Sequence, residues 1–226
     1  MSMRAFRNQM AFHWHENRKR LFVFGAILLL LDIWLLAGYG IYEPENAMAL
    51  VANNNFFAIS IFIVLITYIT AANSFPLLLG SGYTRKQYFW GSLAYLGAFN
   101  LAISLAQTLL TLVLKQLLPL LGFNLDEYII SFGRMWYSLF AAYFLLAMLF
   151  FLLSTLMYRY GFLWGAGLIA VYILGLNVFR TNNPTLIDAT ARTLADVLAP
   201  HYAIAASLAT ALICWLLYRS AEVKTS

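Results

Sequence analysis

The chain has 226 residues, 63% of them hydrophobic and only 10% charged, with a formal charge of +5. So little polar cover cannot hide that much apolar surface in water, which excludes a soluble globular domain and makes lipid the solvent. A helix crossing roughly 30 Å of hydrocarbon needs about 20 apolar residues, so the length holds about six spans with short loops and no separate soluble domain.

Residues 1–20 precede the first apolar run. Phe6, Met10 and Trp14 recur there at helical spacing, with Arg4, Arg7, Asn8, Arg18 and Lys19 off that stripe. This is the pattern of a basic amphipathic helix lying in the membrane interface, where anionic headgroups attract it. The first span is expected over 21–42, interrupted only by Asp32. Ala47-Met48-Ala49 has the small-x-small look of a signal-cleavage site, but the run before it is longer than the usual signal core.

A second span is expected over 56–75, ended or kinked by Pro76, which lacks a backbone donor. A third covers 89–114, longer than the bilayer core and so tilted or protruding. The fourth and fifth, 136–157 and 162–178, are joined tightly enough to be antiparallel neighbours, and the sixth is 201–218. Residues 219–226 form a tail. Runs this long and unalternating are helices rather than barrel strands, so the expected fold is an all-α membrane bundle.

Lysine and arginine are retained on the cytoplasmic side of a membrane. With the N-terminus inside, the inner segments hold Arg4, Arg7, Arg18, Lys19, Arg20, Arg85, Lys86, Arg159, Arg219 and Lys224, and the outer loops only Lys115, Arg134, Arg180 and Arg192. Both termini are therefore expected in the cytoplasm. The cations follow membrane topology, and nucleic acid is not an expected partner.

Enzyme chemistry finds little support. His13-Trp14-His15-Glu16 looks like a metal motif, but alternate residues of a helix point to different sides, so no metal site is expected. There is no Gly-x-x-x-x-Gly-Lys phosphate loop and no Gly-x-Ser-x-Gly elbow. Cys214 has no partner for a disulfide. Neither catalytic residues nor a cofactor are expected.

The link after span two carries the most information. Gly80 and Gly82 break the chain, and Thr84 with Gln87 three residues on makes a capping box that starts a helix with Arg85 and Lys86 in its first turn. Cations oppose the dipole at a helix N-terminus, so something else must favour them: orientation, or display to a partner. The run Gly82-Tyr-Thr-Arg-Lys-Gln-Tyr-Phe-Trp-Gly-Ser92, the interfacial helix and the six spans resemble the permease subunits of type-two ATP-binding-cassette (ABC) exporters, including small ones associated with bacteriocin or antibiotic resistance. The resemblance covers nearly the whole chain in layout, with Gly80 to Ser92 its motif-like part.

That resemblance implies a bacterial cytoplasmic-membrane permease working as two permease chains, homo- or heterodimeric, with two separate ATPase subunits. It makes Tyr83, Thr84, Arg85, Lys86, Gln87 and Tyr88 a short coupling helix docking on the ATPase. It places the dimer contact on spans one and five, where Gly161 and Gly165 permit close approach, with packing inside the chain the other reading. Residues 181–200, with Ile187, Ala191, Leu194 and Leu198 at helical spacing, resemble the outer helices that cap the path in that family.

Asn100, Ser104, Gln107 and Thr111 make a polar stripe on span three, which faces either another helix or a wet path. Asp32 is costlier still in lipid and is expected to bond across the bundle, to a residue such as Asn100, or to line the path. Two rivals stand beside the permease: a substrate-binding membrane subunit of an energy-coupling vitamin transporter, and a membrane docking or sensor protein without transport.

Overall fold

The computed structural model describes residues 3–38, 47–120, 131–161 and 199–219, and among these every regular element is a helix. In chain order they are α1 (Met3–Gly38), α2 (Ala47–Tyr68), a π-helical turn (Ile69–Asn73), α3 (Ser74–Gly80), α4 (Arg85–Leu120), α5 (Phe132–Tyr160) and α6 (Ala199–Arg219). Five stretches are long and apolar enough to cross a membrane: Met3–Gly38, Leu50–Gly80, Arg85–Leu117, Phe132–Tyr160 and Ala199–Arg219. They correspond to the expected spans one, two, three, four and six. The fifth, with Gly165, and most of residues 181–200 lie outside the described residues.

The expected interfacial helix and first span are one continuous helix of 36 residues. No glycine or proline stands between Met3 and Leu21 to interrupt it. The face it buries over its first half is Gln9, His13 and Asn17, whereas Trp14 of the apolar stripe stays exposed. Span two also outruns its expected end. Pro76 does not stop the helix, because the π turn immediately before it widens the coil where the proline ring would meet the carbonyl four residues back.

Side chains of α2, α3, α4, α5 and α6 form most of the core, and α1 packs on α2 and α4, adding Leu28 to it. Only 11% of the apolar window of α1 is buried against 44% for the next three spans, so α1 is the peripheral helix. Between lipid-bathed helices apolar burial gives no net drive, and shape, aromatic contacts and cross-helix hydrogen bonds hold the bundle. Phe75 packs closely on three rings, meeting Tyr88, Tyr158 and Tyr218 with ring centroids 4.9 to 5.1 Å apart. Each such pair contributes about 0.5 to 1.5 kcal/mol beyond burial.

Candidate functional site

The α3–α4 break is built from two capping devices set back to back. Tyr83 N donates to Leu78 O (3.1 Å) and Gly82 N to Leu79 O (3.0 Å), the paired bonds of a Schellman motif, with Gly82 at φ +86° where only glycine sits without strain. The capping box follows at once: Gln87 N donates to Thr84 Oγ1 (3.2 Å), and Thr84 N to Gln87 Oε1 (2.9 Å). The turn is thus hydrogen-bonded on both sides.

The basic turn that follows is the first turn of the long α4 rather than a separate short helix, since α4 runs on through Gly91 and Gly97 to Leu120. Its residues divide into two groups. Thr84 and Lys86 are exposed, while Tyr83, Arg85 and Gln87 are half-buried. Tyr88 is fully buried, which removes it from any surface that a partner could touch. Its ring stacks edge-on against Phe75, and its hydroxyl donates to Thr70 O in the π turn. Tyr218 of α6 reaches the same turn, donating to Ala71 O at 3.4 Å. A π turn leaves backbone carbonyls without their usual partners, and these two tyrosines take up two of them.

Cations collect at this end of the bundle. The Arg85 guanidinium donates to Arg219 O (3.3 Å), and that of Arg159 donates to Leu217 O (3.3 Å). Both therefore sit at the negative C-terminal end of α6, where a positive charge is favoured. With Lys86 alongside Arg85, the break, the end of α5 and the end of α6 form one basic face.

The N-terminal half of α1 braces the same region. Gln9 Nε2 donates to Tyr88 O (2.9 Å) and Ser92 Oγ (3.3 Å), and Asn17 Nδ2 donates to the Tyr95 hydroxyl (3.0 Å). Ser74 Oγ donates to Glu16 Oε2 (3.0 Å), tying α1 to α3. His13 stacks on the Tyr95 ring at 4.9 Å with neither ring nitrogen bonded. It lies ahead of the apolar run that begins at Leu21, and burial pulls its imidazole from the ordinary 6.5 down to about 4. Spacing of four residues among Gln9, His13 and Asn17 was the available signal for this seam. It is masked in the sequence by the more obvious Phe6, Met10, Trp14 stripe.

The other predicted residues lie elsewhere. Asn100, Ser104, Gln107 and Thr111 are all buried, but their bonds are mostly local. Asn100 donates to Leu96 O (2.7 Å), Ser104 to Leu101 O (3.0 Å) and Thr111 to Gln107 O (2.9 Å). The stripe's one cross-helix hydrogen bond among the described residues runs from the Tyr143 hydroxyl to Gln107 Oε1. Asp32 does not bond Asn100. It accepts from Asn55 Nδ2 on α2 (3.0 Å), leaving its Oδ1 without a donor. Gly161 caps α5 at φ +98°, a backbone conformation that favours glycine, and among the described residues nothing stands within 4 Å of where its Cβ would be.

The described helices define a multi-pass, all-helical membrane protein that carries a doubly capped basic turn wired to a buried aromatic cluster. Over residues 6–217 the chain matches, and belongs to, a family described as protein of unknown function, DUF4052. No curated protein and no solved structure matches it.

Proposed function

We propose that this chain is the membrane-spanning permease subunit of an ABC exporter, driven by a separate ATPase that docks on the α3–α4 break. In this reading residues 162–178 supply a sixth span, both termini are cytoplasmic, and the chain sits in a bacterial cytoplasmic membrane with a second permease chain. The observation that carries it is the break itself. Thr84 and Lys86 stand at the surface on a turn capped from both sides, and the next residue pair, Gln87 and Tyr88, leads directly into the core.

A push on such a turn is not absorbed locally. Tyr88 links it to Phe75, to Tyr218 on α6 and to the π turn, so α3, the start of α4 and the end of α6 move together. Nucleotide-driven closure of the ATPases would thereby reach the bundle from its basic end. The peripheral α1, with Phe22, Leu30, Ile33 and Trp34 exposed, supports the second-chain contact expected on span one.

The test is co-purification of the full chain with an ATP-binding-cassette ATPase co-expressed from a reading frame adjacent to its own. Arg85→Glu with Lys86→Glu should abolish capture of the ATPase while the bundle still elutes as a folded species, because Lys86 is exposed and Arg85 half-buried. Undiminished capture by the folded double variant overturns the docking assignment. Solute movement by the purified chain with no ATPase present overturns the permease reading.

A further inference from the structure

A groove of about 640 Å³ runs between α1 and α4, and its lining is divided by chemistry. On α4, Ala98, Ala102 and Ala106 stand four residues apart and form a shallow trough, flanked by Phe99 and Ile103. On α1, Met10 and Trp14 form the facing wall. Among the described residues, Arg7 is the single charged one in the lining. Among the described residues it makes no hydrogen bond or ion pair.

We propose that this groove holds one anionic phospholipid, with an acyl chain along the alanine trough and the phosphate against Arg7. Three observations favour a lipid. From Tyr95 to Ala106 the α4 wall is about 16 Å long at a rise of ~1.5 Å per residue, which matches one leaflet of a hydrocarbon core of roughly 30 Å. Trp14, 47% exposed, stands beside the groove as the type of side chain that settles at headgroup level. The charge is one-sided: Arg4, Arg18 and Lys19 are exposed on the same helix, no carboxylate among the described residues lines the groove, and Glu16 accepts from Ser74. A zwitterionic headgroup would leave that excess unanswered, whereas phosphatidylglycerol meets it with a net negative charge.

This site does not depend on the transport reading. The full chain, purified in mild detergent and incubated with equal phosphatidylglycerol and phosphatidylcholine, is examined by native mass spectrometry. The expected result is one retained lipid per chain with phosphatidylglycerol preferred, and Arg7→Gln lowering that preference about fivefold, the effect of removing one surface cation. Arg7 is exposed and unbonded, so the variant folds as the parent does. Ala102→Trp fills the trough and should expel both lipids, whereas Leu149→Trp, on an exposed face of α5, should expel neither. An unchanged lipid ratio in Arg7→Gln overturns the proposal. So does a lipid-free chain that forms disulfide-linked dimers through Ala102→Cys, since the trough would then be covered by a second copy.

Discussion

On α1, Gln9 and Asn17 direct their amides across to α4, and His13 lays its ring on Tyr95; on α4, Asn100, Ser104, Thr108 and Thr111 turn back to carbonyls of their own helix. Both stripes are buried and run at helical spacing, though only the one on α4 stood out in the sequence. The difference lies in where the bonds end. A side chain bonded three or four residues back adds little to tertiary structure, while one bonded across helices fixes their relation. The α1 seam bonds across to a neighbouring helix, and the α4 stripe bonds mostly to its own backbone.

The largest expected effect comes from acid at the seam. His13 in the docked helix titrates near 4, and in an undocked or unfolded chain near the ordinary 6.5. Above about 6.5 both forms are neutral and this group has no influence on pH dependence. Between 6.5 and 4 only the undocked form takes a proton, so docking weakens as pH falls, by up to roughly 3 kcal/mol once both limits are passed. The nearby Glu16 is bonded to Ser74 and Arg20 to Asn17, so neither supplies a donor or acceptor to the ring. Hydrogen exchange of residues 3–20 should accelerate across that window, and His13→Gln should flatten the profile. A flat wild-type profile would mean that the imidazole is not buried against Tyr95.

A smaller effect is expected where the two helices come closest. A Cβ on Gly91 would stand 2.0 Å from Gln9 Oε1. Gly91→Ala therefore displaces an amide that holds Tyr88 O and Ser92 Oγ, at a cost of about 2 kcal/mol for the lost bonds and the stranded buried groups. Reversible unfolding in mixed micelles measures it. Adding Gln9→Ala removes the collision, so the double variant should lose less than the sum of the two singles. Additive losses would show that the close approach is not where α1 is held.

Much of the molecule was legible from its sequence. Five of the six expected spans followed from apolar length, and the Thr84–Gln87 box from residue type and spacing, because each depends on local chemistry alone. Three things were not. The π turn precedes a proline that cannot donate, and two tyrosines from different helices, Tyr88 and Tyr218, satisfy its carbonyls. Tyr88 reads as part of a basic surface motif, yet helical rotation turns it inward next to exposed Lys86. Asp32 announced that a partner existed in lipid, but three consecutive asparagines at 53–55 and the α4 stripe offered rival donors, and only packing of α1 on α2 selects Asn55.

The weakest expected effects sharpen the contrast most. Thr108 and Thr111 donate to Ser104 O and Gln107 O, carbonyls already serving the α-helix ladder. Replacing both by valine keeps the volume and removes only back-bonds that slightly oppose a straight helix. Unfolding free energy should shift by less than about 0.5 kcal/mol. Tyr143→Phe, by contrast, cuts the bond from α5 to Gln107 and strands a buried amide oxygen, where cross-helix bonds in membranes average about 0.6 kcal/mol with a ceiling near 1.7. The two measurements together decide what the stripe is for. If the valine pair proves stable but lowers ATPase-coupled transport, the hydroxyls face a solute and not a helix. If the pair is neutral in both and Tyr143→Phe is not, then the stripe's influence on the bundle enters through Gln107 alone, and the remaining polar groups are merely stored against their own backbone.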